Sequence, residues 1–269
     1  MLNPYSLSIS DTVREVENNN LSPVGMVESV LDRIDKFDPE LKAWVTVDRE
    51  EVLGAARELE MEQERGIIKP LMGVPVGLKD IFYTAGMRTT ACSKIFADFV
   101  PDYDATSVTK LKKAGAVILG KAVTTEFASS DPSPALNPWN LSHTPGGSSS
   151  GSSVAVATGM CGAALGSQTG GSTCRPAAYN GIVGLKPTYG RISRHGVVPL
   201  SWSLDTVGIL VRSVDDAALM LQVLSGYDEL DPGSAYELVP DFKEQMSRQS
   251  RPPVIGLIRD FFFDNSTKE

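Results

Sequence analysis

Apolar positions recur at helical spacing through the first third of the chain and then give way to short, unbroken apolar runs. The first segment reads as a helix over 10–16, capped by Ser10 and ended by the run Asn18-Asn19-Asn20. Ser22-Pro23 opens a second helix with Val27, Val30, Leu31 and Ile34 on one face, and Asp38-Pro39 is expected to stop it. A third spans 49–65 and ends at Gly66. The pattern then changes. Residues 74–79 (VPVGLK) read as a buried strand, 106–114 as a helix ended by Gly115, and 116–119 as another strand. Farther on, Ser213 and Asp216 form a capping box ahead of a helix that ends before Gly226, and 254–258 read as one more strand. Strands alternating with helices predict an α/β domain whose central sheet is covered by helices. No solenoid period is present.

One stretch departs from this rhythm. Residues 132–174 hold no Asp, Glu, Lys or Arg and are rich in Gly and Ser. A flexible linker has that composition, but VAVA and CGAAL interrupt the polar runs with small buryable residues. The segment is therefore expected to pack at the centre of the domain and bring backbone amides close to a ligand.

Composition narrows the function. The 269 residues carry 33 acidic and 25 basic side chains, a formal charge of −8, with no dense Lys/Arg run. That balance argues against a direct nucleic-acid partner or an anionic membrane surface. The N-terminus has no basic region leading into an apolar core, and no run of eighteen apolar residues exists, so neither a signal peptide nor a membrane span is expected. Three sparse cysteines, Cys92, Cys161 and Cys174, fit a reducing cytoplasm. Two histidines, His143 and His195, are too few for a histidine-rich metal site, and they read as hydrogen-bonding loop residues.

Several motifs compete for the chemistry. Gly147 to Gly151 match G-x-S-x-G with Ser149 as nucleophile, but no acidic residue lies between Ser149 and the only later histidine, so the hydrolase order fails. Ser107 to Lys110 match S-x-x-K without a downstream K-T-G. Phosphate-binding glycine loops lack their lysine or their spacing. What remains is a serine activated without histidine. Lys79, at the end of an apolar strand, can serve as base if burial populates its neutral amine; alternatively it pairs with the adjacent Asp80. Gly170-Gly171-Ser172 is either a turn or a place where amides converge on an oxyanion.

The stretches TPGGSSSGSSVAVATG and GSQTGGSTCRPAAYNGIVGLKPTYGRISRHGVVPLSWSLDTVG, with GVPVGLKDIF and KLKKAGAVILGKAVTTEFA upstream, resemble the amidase signature family over nearly the whole chain. The resemblance implies the amidase signature fold, a mixed central β-sheet with helices on both faces. It also implies a Ser–cis-Ser–Lys triad of Ser172 as nucleophile, Ser148 as the cis serine and Lys79 as base. The amides of Thr169, Gly170, Gly171 and Ser172 would form the oxyanion hole. Neither cofactor nor metal is implied.

Three positions depart from the family pattern. Gln168 and Cys174 stand where an Asp and an Arg are usual, with Arg175 one place later, which reads as a concerted loss of a structural ion pair. Ser150 stands where glycine is common and is tolerated if helical. The chain is also shorter than the family, so 1–269 is expected to be an amidase signature domain incomplete at its C-terminus. Three functions follow. The first is a cytoplasmic hydrolase of a small-molecule amide, alone or as a homodimer. The second is the glutaminase subunit of a tRNA-dependent amidotransferase, working with partner subunits. The third is a non-catalytic remnant serving as an interaction module.

Overall fold

The computed structural model describes residues 3–129, 132–248, 252, 254–261 and 263–266. Helices α1 (Ile9–Glu17) and α2 (Pro23–Leu41) precede strand β1 (Trp44–Val47), helix α3 (Arg49–Glu64) and strand β2 (Pro75–Lys79). Then come α4 (Thr106–Lys113), β3 (Val117–Ala122), α5 (Ser150–Ala157), β4 (Ala163–Gln168) and α6 (Cys174–Asn180). Strands β5 (Val183–Leu185) and β6 (Thr206–Val211) and helices α7 (Val214–Leu224) and α8 (Phe242–Ser247) complete the order. The six strands form one mixed sheet, β1-β3-β2-β4-β6-β5. The central strand β2 pairs in parallel with β3 and β4, and the outer pairings are antiparallel.

Side chains alternate across this sheet. Leu165, Val207, Ile209 and Val211 join Val108 and Leu111 of α4 and Met220 and Leu224 of α7 in one core. Ala164 and Leu210 face Val27, Val30 and Leu31 of α2, Val52 and Ala56 of α3, and Val154 of α5 in the other. Helices thus cover both faces, as expected. No helix among the described residues is long and apolar enough to cross a membrane.

The structure corrects several local expectations. Ser8, not Ser10, caps α1 through the Asp11 N–H. Helix α2 runs through Pro39 to Leu41, since a proline in the last turn gives up only its own N–H, and beyond the helix end the Asp38 carboxylate accepts from the N–H groups of Ala43 and Trp44. Only half of the expected capping box forms at α7. Ser213 accepts from the Asp216 N–H, but the Asp216 carboxylate turns to the N–H groups of Ile9 and Ser10 and docks α1 onto α7. Residues 254–258 form no strand: Val254, Ile255, Leu257 and Ile258 are all exposed. The Gly/Ser stretch is central only in part, since 139–144 lie at the surface while most of 148–168 is buried.

Candidate active site

Burial of the Gly/Ser segment depends on glycines that let backbones approach. A Cβ on Gly151 would meet the Ala43 carbonyl oxygen at 2.2 Å and the Val123 nitrogen at 2.5 Å, so only glycine lets the first turn of α5 press against the backbone just before β1 and just after β3. Gly166 and Gly208 are cross-strand partners on β4 and β6. Side chains there would strike Ser149 Oγ at 2.7 Å and Thr173 Oγ1 at 2.1 Å. This glycine pair therefore opens the seat for the residues that follow Ser148 and Ser172 in the chain.

Lys79 ends β2 fully buried, with Nζ 2.7 Å from Ser148 Oγ and 2.8 Å from Ser167 Oγ. Burial pushes its pKa down to about 7, opposed by the charge of Asp205 and by Cys92. The adjacent Asp80 does not pair with it. That carboxylate accepts from the Thr90 N–H at 3.0 Å and the Cys92 N–H at 3.3 Å and bonds the Thr90 hydroxyl, and burial raises its pKa. The ion-pair alternative for Lys79 is thereby removed.

The Gly147–Ser148 peptide bond is cis. Arg175 grips the Gly147 carbonyl with Nε at 3.1 Å and Nη2 at 2.6 Å, and Asn180 holds the Pro145 carbonyl at 2.8 Å, fixing the approach to Ser148 from the α6 side. Ser172 is half-buried just before α6, and its carbonyl accepts from the Ser149 N–H at 3.2 Å. Lys79 and Ser148 are joined by a hydrogen bond, whereas Ser172 is tied to the cis-serine segment through backbone, with no bond between the two hydroxyls. Among the described residues, no acceptor meets the N–H groups of Gly170, Gly171 or Ser172, which leaves these three donors available to an external anionic oxygen.

Gln168 holds the loop that follows it. Its Oε1 accepts from the Thr173 and Cys174 N–H groups, each at 2.9 Å, and its Nε2 donates to the Gly170 carbonyl at 3.1 Å. A neutral amide thus braces the 169–173 loop on both sides. Cys174 points out to solvent near the Gly184 carbonyl. Ser150 is the first residue of α5, so it is helical as expected. His195 stacks on Tyr103 with ring centroids 5.3 Å apart, while His143 sits in the exposed 139–144 loop.

Two residues of the site were not anticipated. Ser167 is the second hydroxyl on Lys79, and Asp205 bonds the Thr169 hydroxyl. A buried hydroxyl inside the apolar strand GAALGSQ was the available signal for the first. Beside them lies a cleft of about 440 Å³ lined by Ser167, Asp205 and Thr206 on one side and by Tyr83, His195 and Trp202 elsewhere.

A model of the Amidase family matches residues 25–269. The chain is 45% identical over 266 residues to the A subunit of the glutamyl-tRNA(Gln) amidotransferase of Geobacter metallireducens, covering 97% of this chain and 55% of that protein. It is 50% identical over 233 residues to the corresponding protein of Desulforapulum autotrophicum, covering 84% and 48%. Among solved structures, native peptide amidase from Stenotrophomonas maltophilia superposes with a TM-score of 0.85 at 38% identity, covering 90% of this chain and 52% of that one. The glutamyl-tRNA(Gln) amidotransferase A subunit of Thermotoga maritima gives 0.76 at 36%, covering 89% and 51%. The chain spans about half the length of these relatives.

Proposed function

Because the chain belongs to the amidase family, we propose that it hydrolyses a carboxylic amide through Ser172, Ser148 and Lys79. The observation that carries this reading is the fully buried Lys79 amine, 2.7 Å from the Ser148 hydroxyl, with its neighbouring carboxylate engaged elsewhere. Above pH 7 the amine is neutral and accepts the Ser148 proton while Ser148 takes that of Ser172. The Ser172 oxygen then bonds to the amide carbon, and the carbonyl oxygen becomes an anion stabilised by the amides of 169–172. When the C–N bond breaks, the proton returns along the relay to the leaving nitrogen, which departs as ammonia or an amine. Water, deprotonated by the same relay, attacks the acyl-serine ester and releases the carboxylate. The free cysteines agree with a cytoplasmic setting for this chemistry.

A second reading is favoured by the 45% and 50% identity to amidotransferase subunits. In that reading the amide is glutamine and the ammonia passes to partner subunits. Ammonia release from a panel of glutamine, simple amides and C-terminally amidated peptides tests both. Release from simple or peptide amides that disappears in Ser172→Ala is the expected result. Release from glutamine alone supports the second reading. No release from any of them, by a folded protein, refutes both and leaves a non-catalytic interaction module.

A further inference from the structure

Asp205 stands just ahead of β6, where Thr206 is the cross-strand partner of Gln168, so its side chain lies beside Thr169 at the start of the 169–172 loop. The Thr169 hydroxyl donates to Asp205 Oδ1. Its other oxygen, Oδ2, accepts from the Leu200 N–H at 2.7 Å and the Ser201 N–H at 2.8 Å, while the Asp205 N–H closes the same turn on the Ser201 carbonyl at 3.0 Å. One carboxylate therefore ties together the loop that carries Ser172 and the 200–205 turn that forms a wall of the cleft.

We propose that Asp205 is a positioning residue for the amide-cleaving site: bonded to Thr169 on one side and to the 200–205 turn on the other, it fixes the 169–172 loop that carries Ser172. The inference rests on the amidase reading above. The surroundings of Lys79 single out this carboxylate. Asp80 is committed to Thr90 and Cys92. The Cys92 thiol is pushed up to about 11 by burial, so it is neutral at working pH. Lys121, on the neighbouring strand, is bonded to the Phe82 carbonyl and the Thr84 hydroxyl, and Arg194, in the cleft wall, pairs with Asp231 at 3.0 Å. Ser148 and Ser167 do not titrate. Asp205 is the first of the charges that favour protonated Lys79, and without it the amine stays neutral to lower pH.

The two roles separate in one experiment, the rate at which a fluorophosphonate modifies Ser172 in the intact protein as a function of pH. For the unmodified sequence the rate should rise through a midpoint near 7, where Lys79 loses its proton. Asp205→Asn should move that midpoint down and lower the plateau at least as far as loss of the Thr169 hydroxyl does. Thr169→Val should lower the plateau by about tenfold, the size of one lost positioning hydrogen bond, and leave the midpoint in place. Asp205→Glu keeps the charge with altered reach and should keep the midpoint while losing plateau rate. A plateau unchanged in both Asp205→Asn and Thr169→Val, with Ser172 still reactive, overturns the proposal for Asp205 alone. A Ser172 that never reacts in the unmodified protein overturns the amidase reading and this inference together.

Discussion

Lys79 and Lys121 stand on adjacent parallel strands, with Leu78 paired to Lys121 and Lys79 paired to Ala122. Both are completely buried, and in both burial pushes the pKa down to about 7. They differ in what the amine meets. Lys79 reaches two serine hydroxyls, one of them on the cis-peptide segment beside Ser172. Lys121 donates to the Phe82 carbonyl and lies 2.7 Å from the Thr84 hydroxyl, clamping the turn that follows β2. The carbonyl has no proton to surrender, and the Thr84 hydroxyl already donates to that same Phe82 carbonyl at 3.3 Å, so Lys121 meets no hydroxyl that leads on to a nucleophile. Burial sets the basicity of a lysine, and the partner decides whether that basicity can do chemistry.

The largest contrast should come from removing each amine. Lys79→Met should slow Ser172 modification at pH 8 by at least ~10²-fold, the lower end expected for a lost base, while the protein stays folded. Lys121→Met should instead strip the buried Phe82 carbonyl of its charged donor and leave it only the long Thr84 and Thr89 hydroxyl contacts at 3.3 and 3.5 Å, lower unfolding stability by about 1–3 kcal/mol in urea, and keep Ser172 reactivity within about threefold. Equal loss of reactivity in the two variants would break the comparison.

The two lysines should act alike on stability. Each pKa is near 7 folded and near the ordinary lysine value of 10.5 unfolded. Between those values the unfolded chain binds more protons, so stability should rise with pH from about 7 toward 10 and fall as pH drops through that window. Thermal melts across this range should show that slope, and each Lys→Met variant should flatten it. A slope unchanged in either variant would mean that amine does not titrate as described.

Smaller effects should come from the braces around the site. Gln168→Ala removes the acceptor for the Thr173 and Cys174 N–H groups and should cut the Ser172 modification rate by about tenfold, with little change in the pH midpoint. The smallest belong to the histidines. His143→Ala and His195→Ala should stay within about twofold in the same assay, because neither imidazole reaches Ser148 or Ser172. A folded histidine variant as unreactive as Ser172→Ala would make imidazole the base.

Much of this was legible in the chain. The helix starts at Ser22 and Ser213 and the stops at Gly66 and Gly226 follow from local capping chemistry, whereas α2 runs past Asp38-Pro39 to a left-handed Lys42. Lys79, Ser148 and Ser172 stand out because each sits in a long motif. Ser167 and Asp205 did not, because their partners lie 88 and 36 residues away in sequence and only the β4–β6 pairing brings Asp205 to Thr169. The 254–258 run shows the opposite failure. Its apolar residues have strand propensity, yet nothing in the described structure offers a neighbour to pair with or a face to bury against, and propensity without burial makes no strand.

A serine nucleophile driven by a buried lysine can be caught by peptide mapping of the protein after fluorophosphonate treatment at pH 8. The adduct should form on Ser172, be lost in Ser172→Ala and be strongly reduced in Lys79→Met and Ser148→Ala. An adduct carried by Ser149, or one on Ser172 that forms as fast in Lys79→Met as in the unmodified protein, would contradict it.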